Sequence, residues 1–326
     1  MRGRRCLVLL FLWATATASA QDVHFSQLDF NPLLLNTAYS GFIDGGARVG
    51  AAYRTQWASV SYPFQTFALT ADGLVLRDRY RRNGLGLGGR FYRDKAGTLD
   101  YGTTSVEAMA AYNRTLDWSG VHHLSLGVSL GYHQLGYDVS QVTLYDEGET
   151  LDQQHRRYLT VGAGVAWSCE PDDGWWLRVG LAAHNLNQPS LALLEGDDSR
   201  LAQRWLLSAR WGRMLGDHWL LSPVLQVQRQ QGNNELCYGA DVRWLLGDDD
   251  RHHLLLGAGL ALRHADAAII SVMAEYNALQ VIFRYDANTS SLSDASSGYG
   301  AVELGVGYRF VKSQKKRRKA LPCPIM

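Results

Sequence analysis

The chain has 326 residues, with 32 Lys+Arg against 31 Asp+Glu and a formal net charge of +1. That balance gives no global basic field of the kind nucleic acid would require. Glycine (33), tyrosine (16) and tryptophan (10) are plentiful and proline (7) is scarce, a mixture that suits many strands joined by tight turns better than a helical protein.

The first residues predict export. A basic start, Met1 to Arg5, precedes the apolar run Cys6 to Thr17. That run is too short to span a bilayer as a helix. Small residues at Ala18 and Ala20 complete a signal peptide over 1–20, with cleavage expected after Ala20. Residues 21–46 follow, from "QDVHFSQLDFNPLLLNTAYSGF" onward. They lack period-two alternation, and Asn-Pro and Ser-Gly punctuate them. A short plug or periplasmic cap packed on the mouth of the next domain explains an apolar, turn-rich segment there.

From residue 47 to 310 the repeating signal is period two. Leu124, Leu126, Val128, Leu130 and Tyr132 alternate with Ser125, Gly127, Ser129 and Gly131, and Val302, Leu304, Val306, Tyr308 and Phe310 alternate with Glu303, Gly305, Gly307 and Arg309. Each run therefore has one apolar face and one small or polar face. The runs exceed the five or six residues usual in soluble sheets and approach the roughly 9–11 of a membrane-spanning strand. About fourteen such runs are present, centred near Ala52, Ala68, Gly88, Ala108, Leu130, Gly162, Gly180, Ser208, Leu225, Asp241, Gly259, Val272, Ile282 and Leu304. An even count of antiparallel strands predicts an all-β transmembrane barrel of the outer-membrane kind. No blade-length repeat supports a soluble propeller.

Connection lengths agree. The long ones, 140–156, 187–203 and 286–298, follow strands five, seven and thirteen. The short ones, at Gly216 and Asn277, follow strands eight and twelve. Longer outer loops and shorter periplasmic turns then place both termini in the periplasm. Two features strain this reading. Pro223 falls inside strand nine, where a bulge or a late strand start must absorb it. Asp241 and Arg243 share a face of strand ten and must point into the lumen. Residues 311–326 form a basic tail, with Lys312, Lys315, Lys316, Arg317, Arg318 and Lys319 in close succession, suited to an acidic periplasmic partner.

Nothing in the sequence assembles an active site, a cofactor site or a metal site. His122/His123 and His252/His253 are adjacent on strands, so the two rings of each pair point to opposite faces. The acidic stretches 170–174 and 247–251 lack the spacing of a calcium loop. "GLGLGG" (Gly84 to Gly89) lies in a strand pattern with no helix after it. The strand order puts Cys169 and Cys237 near opposite ends of the barrel, beyond disulfide reach, so free thiols are expected.

A family resemblance rests on specific residues. "FSQLDFNPLLLNTAYSG" resembles the opening of the PorP/SprF family of Bacteroidetes outer-membrane proteins, through Phe25, Ser26, Gln27, Asn31, Pro32, Leu33, Asn36, Ala38 and Gly41, with Thr37 in place of the usual proline. "YRTQW" (Tyr53 to Trp57), "NGLGLGGRFYRDKAG" (Asn83 to Gly97) and "HNLNQPS" (His184 to Ser190) are similar to further family motifs in the same order. The resemblance implies a non-catalytic barrel of the type IX secretion system, in some members tied to gliding motility. Its partners would be the outer-membrane bilayer and either periplasmic or lipoprotein components of that machinery or a secreted cargo protein. Expected partner-contact residues are Phe25, Gln27, Asn31, Pro32 and Asn36 in the N-terminal segment, Asn185, Asn187, Gln188 and Pro189 at the start of an outer loop, and Lys315, Lys316, Arg317, Arg318 and Lys319 in the tail. The alternative is a porin whose inward Arg178, Arg263, Glu303 and Arg309 line a polar lumen; an outer-membrane hydrolase is a third reading.

Overall fold

The computed structural model describes residues 30–43, 46–57, 62–77, 83–97, 101–137, 155–192, 198–248, 253–290 and 298–310. The expected signal peptide, Phe25, Gln27, Cys323 and the basic tail lie outside the described residues. Two short 3-10 turns, Pro32–Leu34 and Thr37–Tyr39, come first. Fourteen strands follow: β1 (Ala47–Gln56), β2 (Phe64–Arg77), β3 (Gly84–Ala96), β4 (Tyr101–Thr115), β5 (His122–Gly136), β6 (His155–Cys169), β7 (Trp175–His184), β8 (Arg204–Leu215), β9 (Trp219–Gln230), β10 (Asn233–Asp248), β11 (His253–Arg263), β12 (Ala267–Tyr276), β13 (Leu279–Asn288) and β14 (Tyr299–Phe310). Every strand pairs antiparallel with its sequence neighbours, and β1 pairs with β14, from Ala47↔Phe310 to Gln56↔Ala301, to close the barrel. All fourteen expected strand centres fall inside these strands, in order.

Alternation sorts the side chains as the sequence demands. Val302, Leu304, Val306, Tyr308 and Phe310 are 37–51 % exposed, whereas Ala301 and Glu303 on the other face of β14 are at most 4 % exposed. Aliphatic residues such as Val128, Val161, Leu207 and Val272 cover the outside at mid-height. Aromatics crowd both edges of that band: Tyr53, Tyr132, Trp205 and Tyr238 toward the end that carries the long connections, here the loop end, and Tyr112, Trp219, Trp244, Tyr276 and Tyr308 toward the opposite, terminal end. Aromatic girdles bounding an apolar band are how a barrel meets a bilayer.

Local chemistry explains the difficult positions. Pro223 keeps its pairing with Ala240 in the β9–β10 ladder. The β8–β9 ladder, however, skips from Arg210↔Val224 to Arg213↔Leu221, so the donor that proline lacks falls at a break where none is used. Inside that break Trp176 lies over Gly212, where an added Cβ would meet the indole at 2.2 Å. Asp241 and Arg243 do point inward; both are buried, and Arg243 Nε donates to Asp241 Oδ2 at 2.7 Å. Cys169 and Cys237 are buried free thiols, near the terminal and loop ends respectively. His122 stacks outside on Trp167 with ring centres 5.7 Å apart, while His123 faces in and bonds the Thr115 hydroxyl at 3.2 Å. The tight terminal-end turns use left-handed residues, Gly216 (φ 66°) and Asn277 (φ 54°), types that tolerate this conformation.

Candidate functional site: a filled lumen and its rim

The residues just before β1 lie inside the barrel. Asn31 precedes Pro32, whose fixed φ and missing donor suit the first position of a turn, and Asn36 caps the second turn by accepting from Ala38 N at 2.9 Å. Residues Phe30 to Tyr39 are all buried, and Leu33, Asn36, Thr37 and Ala38 are 0 % exposed.

A segment inside a strand-lined lumen must find partners for its own backbone. The barrel supplies them one by one. Asn36 Nδ2 donates to the carbonyls of Val165 (3.0 Å) and Leu181 (3.3 Å) on β6 and β7. Ser125 Oγ donates to Ala38 O at 2.6 Å, and Asn113 Nδ2 to Ser40 O at 3.1 Å. Arg90 reaches the carbonyls of Leu33 and Leu34, and His184 Nε2 lies 3.1 Å from Leu35 O. Thr70 Oγ1 donates to Asn31 Oδ1 at 2.8 Å, and Gly41 N donates to Asp72, which Arg48 also holds.

The wall is cut back to receive the segment. A Cβ on Gly127 would sit 2.5 Å from Ala38 N, one on Gly164 2.0 Å from Asn36 Oδ1, and one on Gly180 2.5 Å from the Tyr39 hydroxyl. Phe30 fills the space left by Gly305 and packs with Met273 and Ile282.

Elsewhere charge pairs fill the lumen. Toward the loop end Arg54 bonds Asp286 at 2.9 Å and Glu303 at 3.3 Å, Arg263 bonds Asp286 at 3.2 Å, and Arg284 bonds Glu303 at 3.4 Å. Arg210 and Arg243 share Asp241, Arg309 pairs with Glu275 and Arg178 with Glu170. Arg263, Glu303 and Arg309, expected to line a lumen, do face inward, as does Arg178, and they are taken up in these pairs. Among the described residues, a lumen cavity beside Arg90, Glu107 and His133 and another beside Arg210, Asp241 and Arg284 measure about 10 and 20 Å³, room for about one water each.

The loop-end rim has its own closure. After His184 the chain turns through Asn185 (φ 57°) and Gln188 (φ 43°). Residues 189–192 and 198–201 then lie together, with Ser190 bridged to Arg200. Leu191 and Leu201 pack on Leu135 and Tyr158, and Tyr158 stacks on His133 at 5.0 Å. Asn185 Nδ2 donates to Ala202 O. Asn187 Nδ2 donates to Leu159 O at 2.8 Å and its Oδ1 accepts from Val161 N at 3.0 Å.

At the terminal end the β4–β5 turn is held by Asp117. Its carboxylate accepts from Ser119 Oγ, from His122 N (2.8 Å) and from Val121 N (3.1 Å). Those bonds, the serine hydroxyl's first, lower its pKa to about 2. Trp118, beside it, is 92 % exposed.

These positions sort the expected contact residues. Asn31, Pro32 and Asn36, expected as partner contacts, are enclosed in the barrel, where the Asn31 and Asn36 side chains bond the wall. Asn187 and Gln188 are exposed at the loop-end rim, Pro189 is partly so, and Asn185 is buried. Sequence reasoning missed the barrel side of the contact: Asn113, Ser125, Arg90 and the inward glycines. Glycine at inward strand positions was the available signal. Among the described residues no three His, Cys, Asp or Glu side chains gather to hold a metal.

Comparison with known proteins agrees with this architecture. The family described as "Type IX secretion system membrane protein PorP/SprF" matches residues 17–308. No curated protein sequence matches the chain. Among solved structures the barrel is similar to a Pseudomonas aeruginosa FadL homologue (12 % identity, covering 84 % of this chain and 93 % of that one, TM-score 0.52). It is also similar to the TodX deltaS2S3 mutant, a monoaromatic hydrocarbon channel (10 % identity, 86 % and 94 % covered, TM-score 0.51). At such identities the likeness is one of fold: an outer-membrane β-barrel.

Proposed function

The chain belongs to the PorP/SprF family of type IX secretion system membrane proteins, and from that premise we propose that it is a non-enzymatic receptor and docking component of the secretion machinery in the outer membrane. The observation that carries this reading is the filled lumen: among the described residues the segment around Asn36 and the charge pairs around Arg54 occupy the interior, and the cavities beside Arg90 and Arg210 are water-sized. A barrel packed like a protein interior favours holding a partner at its rims over conducting a solute through its centre. In this reading both termini are periplasmic, 1–20 is a signal peptide, 21–46 is the N-terminal cap or plug segment, and 47–310 is the barrel. The basic tail, 311–326, meets a periplasmic or lipoprotein component of the machinery. The rim around Asn187 and Gln188 faces outward toward secreted cargo.

Deletion of the gene tests the proposal. Surface display of type IX cargo is expected to fall while other outer-membrane barrels assemble normally; unchanged cargo export and display would overturn it. Planar-bilayer recordings separate it from the porin alternative: the receptor is expected to be electrically silent, and steady open channels would favour the porin.

A further inference from the structure

The wall of the barrel is not of even height. On the loop side β4, β5 and β6 rise together, with Gly102↔Gly136 and Gly136↔His155 in register at their tops. The β6–β7 ladder, by contrast, ends at Ala163↔Ala183. Eight residues of β6, 155–162, therefore stand above their last partner on β7. Among the described residues no strand pairs with that edge.

The edge is treated differently at two depths. Val161 and Leu159 lie at and below the aromatic girdle, because Leu159 is in register with Tyr132. There lipid allows no unbonded backbone group. Leu186 N donates to Val161 O at 2.9 Å, and the Asn187 amide stands in for the missing strand on Val161 N and Leu159 O. Above the girdle the next residues whose backbone groups face this edge are Arg157 and His155, since edge-facing positions alternate. Both are exposed. The described residues of the β7–β8 connection pack on the inner face of β6, through Tyr158 and through Arg156 Nε to Ser190 O at 3.3 Å.

What fits there is set by two properties. Alternating donors and acceptors along a strand edge are met by the backbone of another extended chain. Among the described residues the side chains around the edge are mostly basic: His155, Arg156 and Arg157 on the strand and Arg200 on the facing connection, with Asp198 beside it. We propose that the β7-facing edge of residues 155–159 captures an acidic, extended peptide segment as an added strand. The source of that peptide, a secreted protein, rests on the receptor reading above; the edge itself does not.

The full-length barrel in lipid nanodiscs tests this with three octapeptides: alternating Glu and Val, alternating Lys and Val, and the Glu–Val peptide methylated at every amide nitrogen. The Glu–Val peptide is expected to bind and to slow hydrogen exchange at the His155 and Arg157 amides. Full N-methylation or exchange of Glu for Lys should each weaken binding about tenfold or more. The double variant Arg156→Glu/Arg157→Glu should lose the preference for the acidic peptide. Amides already protected in the free barrel would overturn the proposal, because another part of the chain would then fill the edge. Equal binding of the N-methylated peptide would overturn strand addition, and equal binding of the Lys–Val peptide would overturn charge selection. Peptide binding together with normal cargo display in cells carrying the double variant would keep the edge and overturn the receptor reading instead.

Discussion

Two arcs of one barrel are filled in opposite ways. Along β4–β7 the wall gives up its side chains: Gly127, Gly164 and Gly180 face a segment of backbone and meet it with single amides and hydroxyls. Along β8–β11 and β13–β14 the wall fills the space itself, with Arg210, Arg243, Arg263 and Arg284 reaching Asp241, Asp286 and Glu303. Glycines serve this second arc too, but for side chains: a Cβ on Gly257 would crowd Met273 and Arg243, and one on Gly259 would crowd Ser271 and Asp241. The first arc is a receptacle whose content is joined to these strands by neutral hydrogen bonds, each worth about 1 kcal/mol net, while Arg90 on β3 and Asp72 on β2 hold it from the side. Apart from Phe30 against Gly305 and Ile282, the second has no removable part, because its charges are covalently part of the strands and each buried charge needs its partner.

Four perturbations test the contrast. The largest effect is expected in the charged arc. Arg54→Met leaves Asp286 and Glu303 short of a shared buried cation, and breaking such a pair costs about 3–5 kcal/mol. The urea midpoint of the refolded barrel should fall sharply, with no channel opened. In the receptacle, Gly127→Val drives a side chain into the Ala38 backbone, and overpacking of this kind costs about 1–3 kcal/mol. Because the segment is separable from the wall, the expected readout is its expulsion: residues near Asn36 become open to protease, and conductance appears in planar bilayers. If Gly259→Val expels the segment equally well, the two arcs are not independent. Smaller again, Asn36→Ala removes the cap and two bonds to the wall, for roughly 1–2 kcal/mol, and should raise protease sensitivity of the segment without moving the barrel's own unfolding transition. The smallest effect belongs to neither arc. Asp117, with its pKa lowered to about 2, supports the β4–β5 turn fully above the ordinary carboxylate pKa, and that support is lost as pH falls through about 2. Exchange at the Val121 and His122 amides should quicken over that acid range, whereas in Asp117→Ala it should be quick at every pH while both arcs stay intact.

The barrel was legible because its signal is local. Period-two runs such as Leu124 to Tyr132 state which face meets lipid without reference to any other strand, and strand order follows from the lengths of the connections. Even Pro223 could be placed in strand nine, although the break in the β8–β9 ladder that accommodates it needed the register. The filling of the lumen was hidden because it is not local. Asn36 meets Val165 and Leu181 across separations of 129 and 145 residues, and nothing within the N-terminal segment separates a plug in the lumen from a cap on its mouth. Asn187 was singled out by its motif, yet its task of completing the edge of β6 appears only once β7 is seen to end early. The charge pairs were legible as inward-facing residues but not as pairs, since a one-residue change of register would re-sort them all.

The pairing of Arg54 with Glu303 bears on how the protein is made. These two residues are in register across the contact between the first strand and the last, and 249 positions separate them in the chain. Before that seam forms, an open sheet carries Arg54 on one margin without its acids, while Glu303 and Asp286 on the other have only Arg284 and Arg263 to share. Lipid penalises that state severely, so a half-zipped sheet is a poor tenant of the bilayer. Biogenesis is thereby constrained in order: the margins must meet while the sheet is still sheltered from the acyl chains. The last and most distant pairing of the chain is also the step that gives Arg54 its acids.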